Sequence, residues 1–258
     1  MPRRDRALLT VSPPTLNRTA FAKLDADLPE THGPFCRDWL MRQFGQGLEI
    51  RMLRDPGMGF VAFQPGRLCW RPIEGVERAM VVHDLRLDRV GDVPRTRDLM
   101  WDAVERFARY YGYAAILAIT GTEAGLIDPG TVPAKRWITL DHGPGEARLV
   151  GRILQGPMAL PRLPTDWARR ATACGPGLVV QTTAESATVN AHIAKLVSGL
   201  SQHGLSLRRD VLADPVTARH RAVSPGTLCS VVLDGQRLGG LDMSVADIVQ
   251  AATRRRPA

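Results

Sequence analysis

Lysine is scarce in this chain. Only Lys23, Lys135 and Lys195 stand among 34 basic residues, so arginine carries the charge against 26 acidic residues, for a net +8. Aromatic residues make up 5%. No nucleic-acid-binding motif accompanies the basic clusters Arg3-Arg4 and Arg254-Arg-Arg256, which argues against nucleic acid as the partner and for solvated termini. No apolar run approaches the roughly 18 residues a membrane span needs. The segment Ala7-Leu8-Leu9-Thr10-Val11, stopped by Pro13-Pro14, is too short for a signal core. The expectation is a cytoplasmic protein without membrane attachment. Four cysteines, Cys36, Cys69, Cys174 and Cys229, form no C-x-x-C pair and are expected to be reduced and mostly packed inside. Six scattered histidines offer no pair at ligand spacing, so no metal is expected.

What is present is ordinary globular material: 258 residues, 44% hydrophobic and 23% charged. A chain of this size buries roughly 70–75% of its unfolded surface. The stretch Gly156 to Pro164 holds three prolines in eight residues, Pro157, Pro161 and Pro164, and is the expected linker. The division predicted is 1–155, a linker 156–176, and 177–258.

In the first part, Cys36 to Phe44 reads as a helix closed by Gly45 and Gly47. Leu48 to Leu53, Gly59 to Gln64 and Ala79 to Leu87 read as strands of an antiparallel meander, with a turn at Asp55-Pro56-Gly57. Thr96 is the expected N-cap of a helix carrying Leu99, Ala103, Val104, Phe107, Ala108 and Tyr111, ended by Gly112. Tyr113 to Thr120 is a buried strand. Gly143-Pro144-Gly145 reads as a loop rather than a dinucleotide fingerprint. The second part runs strand (Leu178 to Thr182), helix (Val189, Ile193, Leu196, Val197, Leu200), strand (Leu205 to Val211), strand (Thr227 to Leu233), a hairpin at Asp234-Gly235 and a helix capped by Ser244.

Trp39-Leu-Met-Arg-Gln-Phe44, Gly47-Leu48, Gly59-Phe60-Val-Ala-Phe63, Trp70-Arg-Pro-Ile-Glu74 and Ser224-Pro-Gly-Thr-Leu-Cys-Ser-Val-Val-Leu-Asp-Gly235 follow one another in an order that resembles YoaP-type proteins. These join a GNAT N-acetyltransferase domain to a thioredoxin-like domain. The resemblance implies an α/β (α+β) fold: a GNAT-like mixed sheet with flanking helices, then a small thioredoxin-like α/β domain. It implies transfer of an acyl group from acetyl-CoA or another acyl-CoA to a small amine, with a homodimer compatible. Pantetheine would lie along Leu85, Arg86 and Leu87, and the diphosphate against Arg95, Thr96 and Arg97, where a helix N-terminus offers unpaired amides. His83, Asp84 and Glu74 would be the candidate bases. Because neighbouring strand residues face opposite ways, at most one of His83 and Asp84 is expected to line the crevice.

The chain departs from the family in three places. The glycine-rich diphosphate loop is replaced by Arg89-Val-Gly-Asp-Val-Pro-Arg-Thr-Arg-Asp98. No tyrosine follows the helix region at Ala134 to Ile138. The loop Thr182-Thr-Ala-Glu-Ser186 has no cysteine, which excludes dithiol exchange there. The alternative expectation is therefore a repurposed GNAT fold without CoA-dependent activity, its loop a plain helix cap with solvated arginines.

Overall fold

The computed structural model describes residues 7–19, 21, 35–54, 58–88 and 90–255. The Asp55-Pro56-Gly57 turn, Arg89, Arg3-Arg4 and Arg256 lie outside them. The fold is mixed α/β: two sheets and six α-helices among the described residues.

The larger sheet contains β1 (Leu8–Val11), β2 (Glu49–Leu53), β3 (Met58–Pro65), β4 (Ala79–Asp88), β5 (Ala115–Thr120), β6 (Ile138–His142) and β7 (Arg148–Ile153), in the order β1-β2-β3-β4-β5-β7-β6. Every pairing is antiparallel except β4 with β5. Those two run parallel only from Ala79 to Val81 against Ala115 to Leu117, and then part. β5 is buried at all six positions, which explains its unbroken apolar run. The predicted meander is β2-β3-β4.

Helix α1 (Arg37–Gly45) packs Trp39 and Leu40 against one face of this sheet. Helix α2 (Val93–Tyr110) packs Met100, Trp101, Val104 and Ala108 against the other. Gly112, at φ +73°, ends it: its N–H donates to Arg109 O and that of Tyr113 to Ala108 O. Two expectations for α2 are corrected. Its N-cap is Asp92, not Thr96, because Asp92 and Pro94 open the helix four residues earlier. Tyr111 lies past the last turn and is exposed.

The smaller sheet has the order β11-β10-β8-β9, from β8 (Leu178–Thr183), β9 (Leu207–Leu212), β10 (Cys229–Leu233) and β11 (Gln236–Gly239). β8 and β9 are parallel, joined by α4 (Ala187–Gln202); β10 pairs antiparallel with both β8 and β11. The hairpin turns at Asp234-Gly235, both at positive φ. α4 buries Val189, Ile193, Leu196 and Leu200 but leaves Val197 exposed, one step off the stripe. Ser244 caps α6 (Val245–Arg255) through Asp247. The expected linker is not featureless. Leu163 enters the core of the larger sheet, and α3 (Trp167–Thr172) packs Ala171 against the smaller one. The short helix α5 (Pro215–Arg221), capped by Asp214, precedes β10.

No helix among the described residues is long and apolar enough to cross a membrane. All four cysteines are free thiols, and only Cys36 is not fully buried. Burial pushes the Cys229 thiol up to about 12, so it stays protonated as a packing group.

Candidate functional site

β3 and β4 slip register by one residue between Ala62 and Phe63, which pair with Asp84 and Val82. His83 is the extra residue of this bulge. Its consequence is visible along β4: Val82 and Leu85, three apart, share the apolar face toward α2, which regular alternation forbids. His83, Asp84 and Arg86 all reach the opposite side and line one small chamber. This chamber lies on the face away from α2, a different space from the crevice beside the Thr96 helix in which at most one of His83 and Asp84 is expected.

That chamber, about 20 Å³, is also lined by Arg71, Glu185 and Leu228. A buried ion pair closes it. The Arg71 guanidinium donates to both carboxylate oxygens of Glu185, at 3.1 and 3.3 Å, and its side chain is 3% exposed. It also donates to Thr227 Oγ1 at 2.8 Å and to His83 O at 3.5 Å. Thus one side chain binds the bulge of the larger sheet and two segments of the smaller unit. Thr227 adopts φ +60°, costly for a β-branched residue. Gly125 and Gly226 allow the loops to meet there: a Cβ on Gly226 would stand 2.3 Å from Ala124 O.

Neither ring nitrogen of His83 has a hydrogen-bond partner among the described residues. Burial, and then the Arg71 charge, hold its pKa well below the ordinary histidine value. A neutral imidazole offers one donor and one acceptor, and leaving each unsatisfied costs about 1–3 kcal/mol. A second ion pair, Arg86 Nε to Asp84 Oδ2 at 2.7 Å, lies at the same wall. Bulge, strained threonine, buried ion pair and orphaned imidazole thus coincide, the pattern expected of a site rather than of packing alone.

The other expected residues are spread out. Glu74 is exposed, tied by its backbone to Arg162, and does not line the chamber. Leu85 and Leu87 pack with Trp101 on the α2 face. Trp101 stands T-shaped on Trp137 at 4.4 Å and donates its Nε1–H to Thr131 O. Ile127 pairs with β5 where β4 has left it: its N–H donates to Ile119 O, and its carbonyl accepts from Gly121. At the N-terminus of α2, the Arg95 N–H donates to Asp92 Oδ1 at 2.9 Å and the Thr96 N–H to Asp92 O at 3.0 Å. Pro94 has no N–H. Arg95 is exposed, and Arg97 pairs with Asp98.

Sequence reasoning missed Arg71, Glu185 and Thr227. Arg71 and Glu185 stand 114 positions apart, so no local spacing signals the pair. A larger cleft of about 680 Å³ opens between the two sheets, and Leu126 lines both it and the His83 chamber. No protein-family model matches the chain, and no match to a curated protein was found.

Proposed function

We propose that this chain is a ligand-binding protein built on an acetyltransferase-like sheet, without acyl-CoA chemistry, and that its ligand enters the cleft between the two sheets. The N-terminus of α2 carries this reading. A diphosphate docks on unpaired amides at the positive end of a helix. Here the Asp92 carboxylate already takes the Arg95 N–H, Thr96 is bonded within the helix, and Pro94 offers nothing. An incoming diphosphate would have to displace a group of its own sign and forfeit a cap of about 1 kcal/mol. Two observations add support. Trp101 and Trp137 fill the α2 face beside Leu85 and Leu87. Glu185 and Ser186 occupy the loop where a thioredoxin-like fold would carry thiols, one bound to Arg71 and the other capping α4.

The test is thiol release from acetyl-CoA with a panel of small amines, together with thermal denaturation in millimolar acetyl-CoA. Neither turnover nor stabilisation is expected; amine-dependent thiol release overturns the proposal.

A second reading, a divergent N-acyltransferase for a small amine, rests on the parting of β4 from β5 and the bulge at His83 beside that fork. In it His83 is the base, so turnover abolished by His83→Ala is its signature.

A further inference from the structure

The cleft between the sheets has a wall chemistry that selects its occupant. At about 680 Å³ it falls within the range of roughly 300–1,000 Å³ typical of small-molecule sites. The larger sheet contributes the connection after β5 and the turn between β6 and β7. The smaller unit contributes one face of α4 and the segment after β11. Small residues, among them Ala124, Ala191, Gly145 and Gly240, keep the walls low.

Charges of both signs line it. Arg237 Nη2 donates to Glu123 Oε1 at 2.7 Å, a bond from one unit to the other that spans the cleft wall and cancels that pair. It is the only hydrogen bond of Arg237 among the described residues, so further guanidinium N–H groups remain for an acceptor. Lys195, exposed on α4, has no partner among the described residues. Two exposed carboxylates line the same cleft, Glu146 on the β6–β7 turn and Asp242 after β11. Each has a single neutral donor among the described residues: the Thr122 hydroxyl for Glu146 and the Gly240 N–H for Asp242. A purely anionic ligand meets repulsion from the carboxylates, and a purely cationic one from Lys195. A ligand bearing both charges satisfies both sets.

We infer that the cleft binds a compact zwitterion of the amino-acid or dipeptide class, its carboxylate toward Lys195 and Arg237 and its ammonium toward Glu146 and Asp242. This rests on the reading that the cleft, not the α2 N-terminus, is the ligand site.

The experiment is thermal denaturation and calorimetry of the full chain with free amino acids, glycylglycine and alanylalanine. Acetate, methylammonium and acetyl-CoA serve as controls. A saturable rise in melting temperature is expected with at least one zwitterion and with neither singly charged control. Lys195→Glu should weaken that binding about tenfold or more, the loss of one charged contact. Ala191→Trp, which fills the cleft from an exposed helix position, should abolish it. Both free variants should melt with wild type. Overturning results are no response to any zwitterion, equal response to acetate or methylammonium, or binding that survives Ala191→Trp. If the zwitterions fail and acetyl-CoA also fails, this inference falls while the absence of acyl-CoA chemistry stands. Binding of acetyl-CoA instead fells the proposal on which it rests.

Discussion

Replacing Glu185 by leucine would leave the Arg71 guanidinium, 3% exposed, without its counter-ion. Two of its four hydrogen bonds would vanish, leaving only Thr227 Oγ1 and the longer contact to His83 O. An uncompensated buried charge of this kind costs about 3–5 kcal/mol. At about 2–4 °C per kcal/mol for a chain of this size, the melting temperature should fall by roughly 6–20 °C. Arg71→Met alone strands the carboxylate and should cost a similar amount. The double variant removes both charges and should recover most of the loss, because a buried ion pair replaced by apolar groups is often neutral or better. Urea unfolding followed by the fluorescence of the five tryptophans reads all four corners of this cycle. Single variants costing under about 1 kcal/mol, or a double variant equal to the sum of the singles, would refute the view that this pair is desolvated and couples the two units.

Three further expectations follow from the same region. His83 has a pKa lowered by burial, so the unfolded chain takes up a proton that the folded chain refuses. Stability should therefore be intact above the ordinary histidine pKa and fall by about 1.4 kcal/mol per pH unit below it, until the depressed folded value is reached. His83→Gln should lack that slope in urea melts at pH 7, 6 and 5. At Thr227, alanine keeps the φ +60° strain and loses the bond to Arg71, whereas glycine loses the bond but relieves the strain. Alanine should thus be the less stable by about 1 kcal/mol. Thiol titration of the native protein at pH 8 should modify Cys36 alone, since Cys69, Cys174 and Cys229 are buried; all four should react in denaturant.

The strands with dense apolar runs, β3, β4, β5, β8 and β10, were legible because burial on one or both faces writes itself into the residues. β6 was not: Ile138 is exposed and the strand is an edge, so nothing alternates. α5 buries only Pro215 and Ala218, too little for a stripe, although Asp214-Pro215 is a start signal. A cap at Thr96 starts α2 four residues late: Thr96 and Asp92 are both competent caps, and the Asp92 carboxylate is the one that reaches an amide, that of Arg95. The candidate site was half legible. His83 and Asp84 were singled out, but a bulge is a one-residue slip in pairing and leaves no mark on composition. Arg71 and Glu185 reveal themselves only as charges too buried to stand alone, which needs the fold to be seen.

Isothermal titration of acetyl-CoA into the wild-type chain tests the central claim most directly, with Asp92→Gly/Pro94→Gly run beside it. With the Arg95 N–H capped by Asp92, the Thr96 N–H bonded within the helix and Pro94 lacking an N–H, the wild type should give no binding heat at millimolar nucleotide. The double variant frees the Arg95 N–H, supplies one at position 94 and is the only one of the two that can gain affinity. Saturable binding to wild type, undiminished beside the variant, would contradict the account.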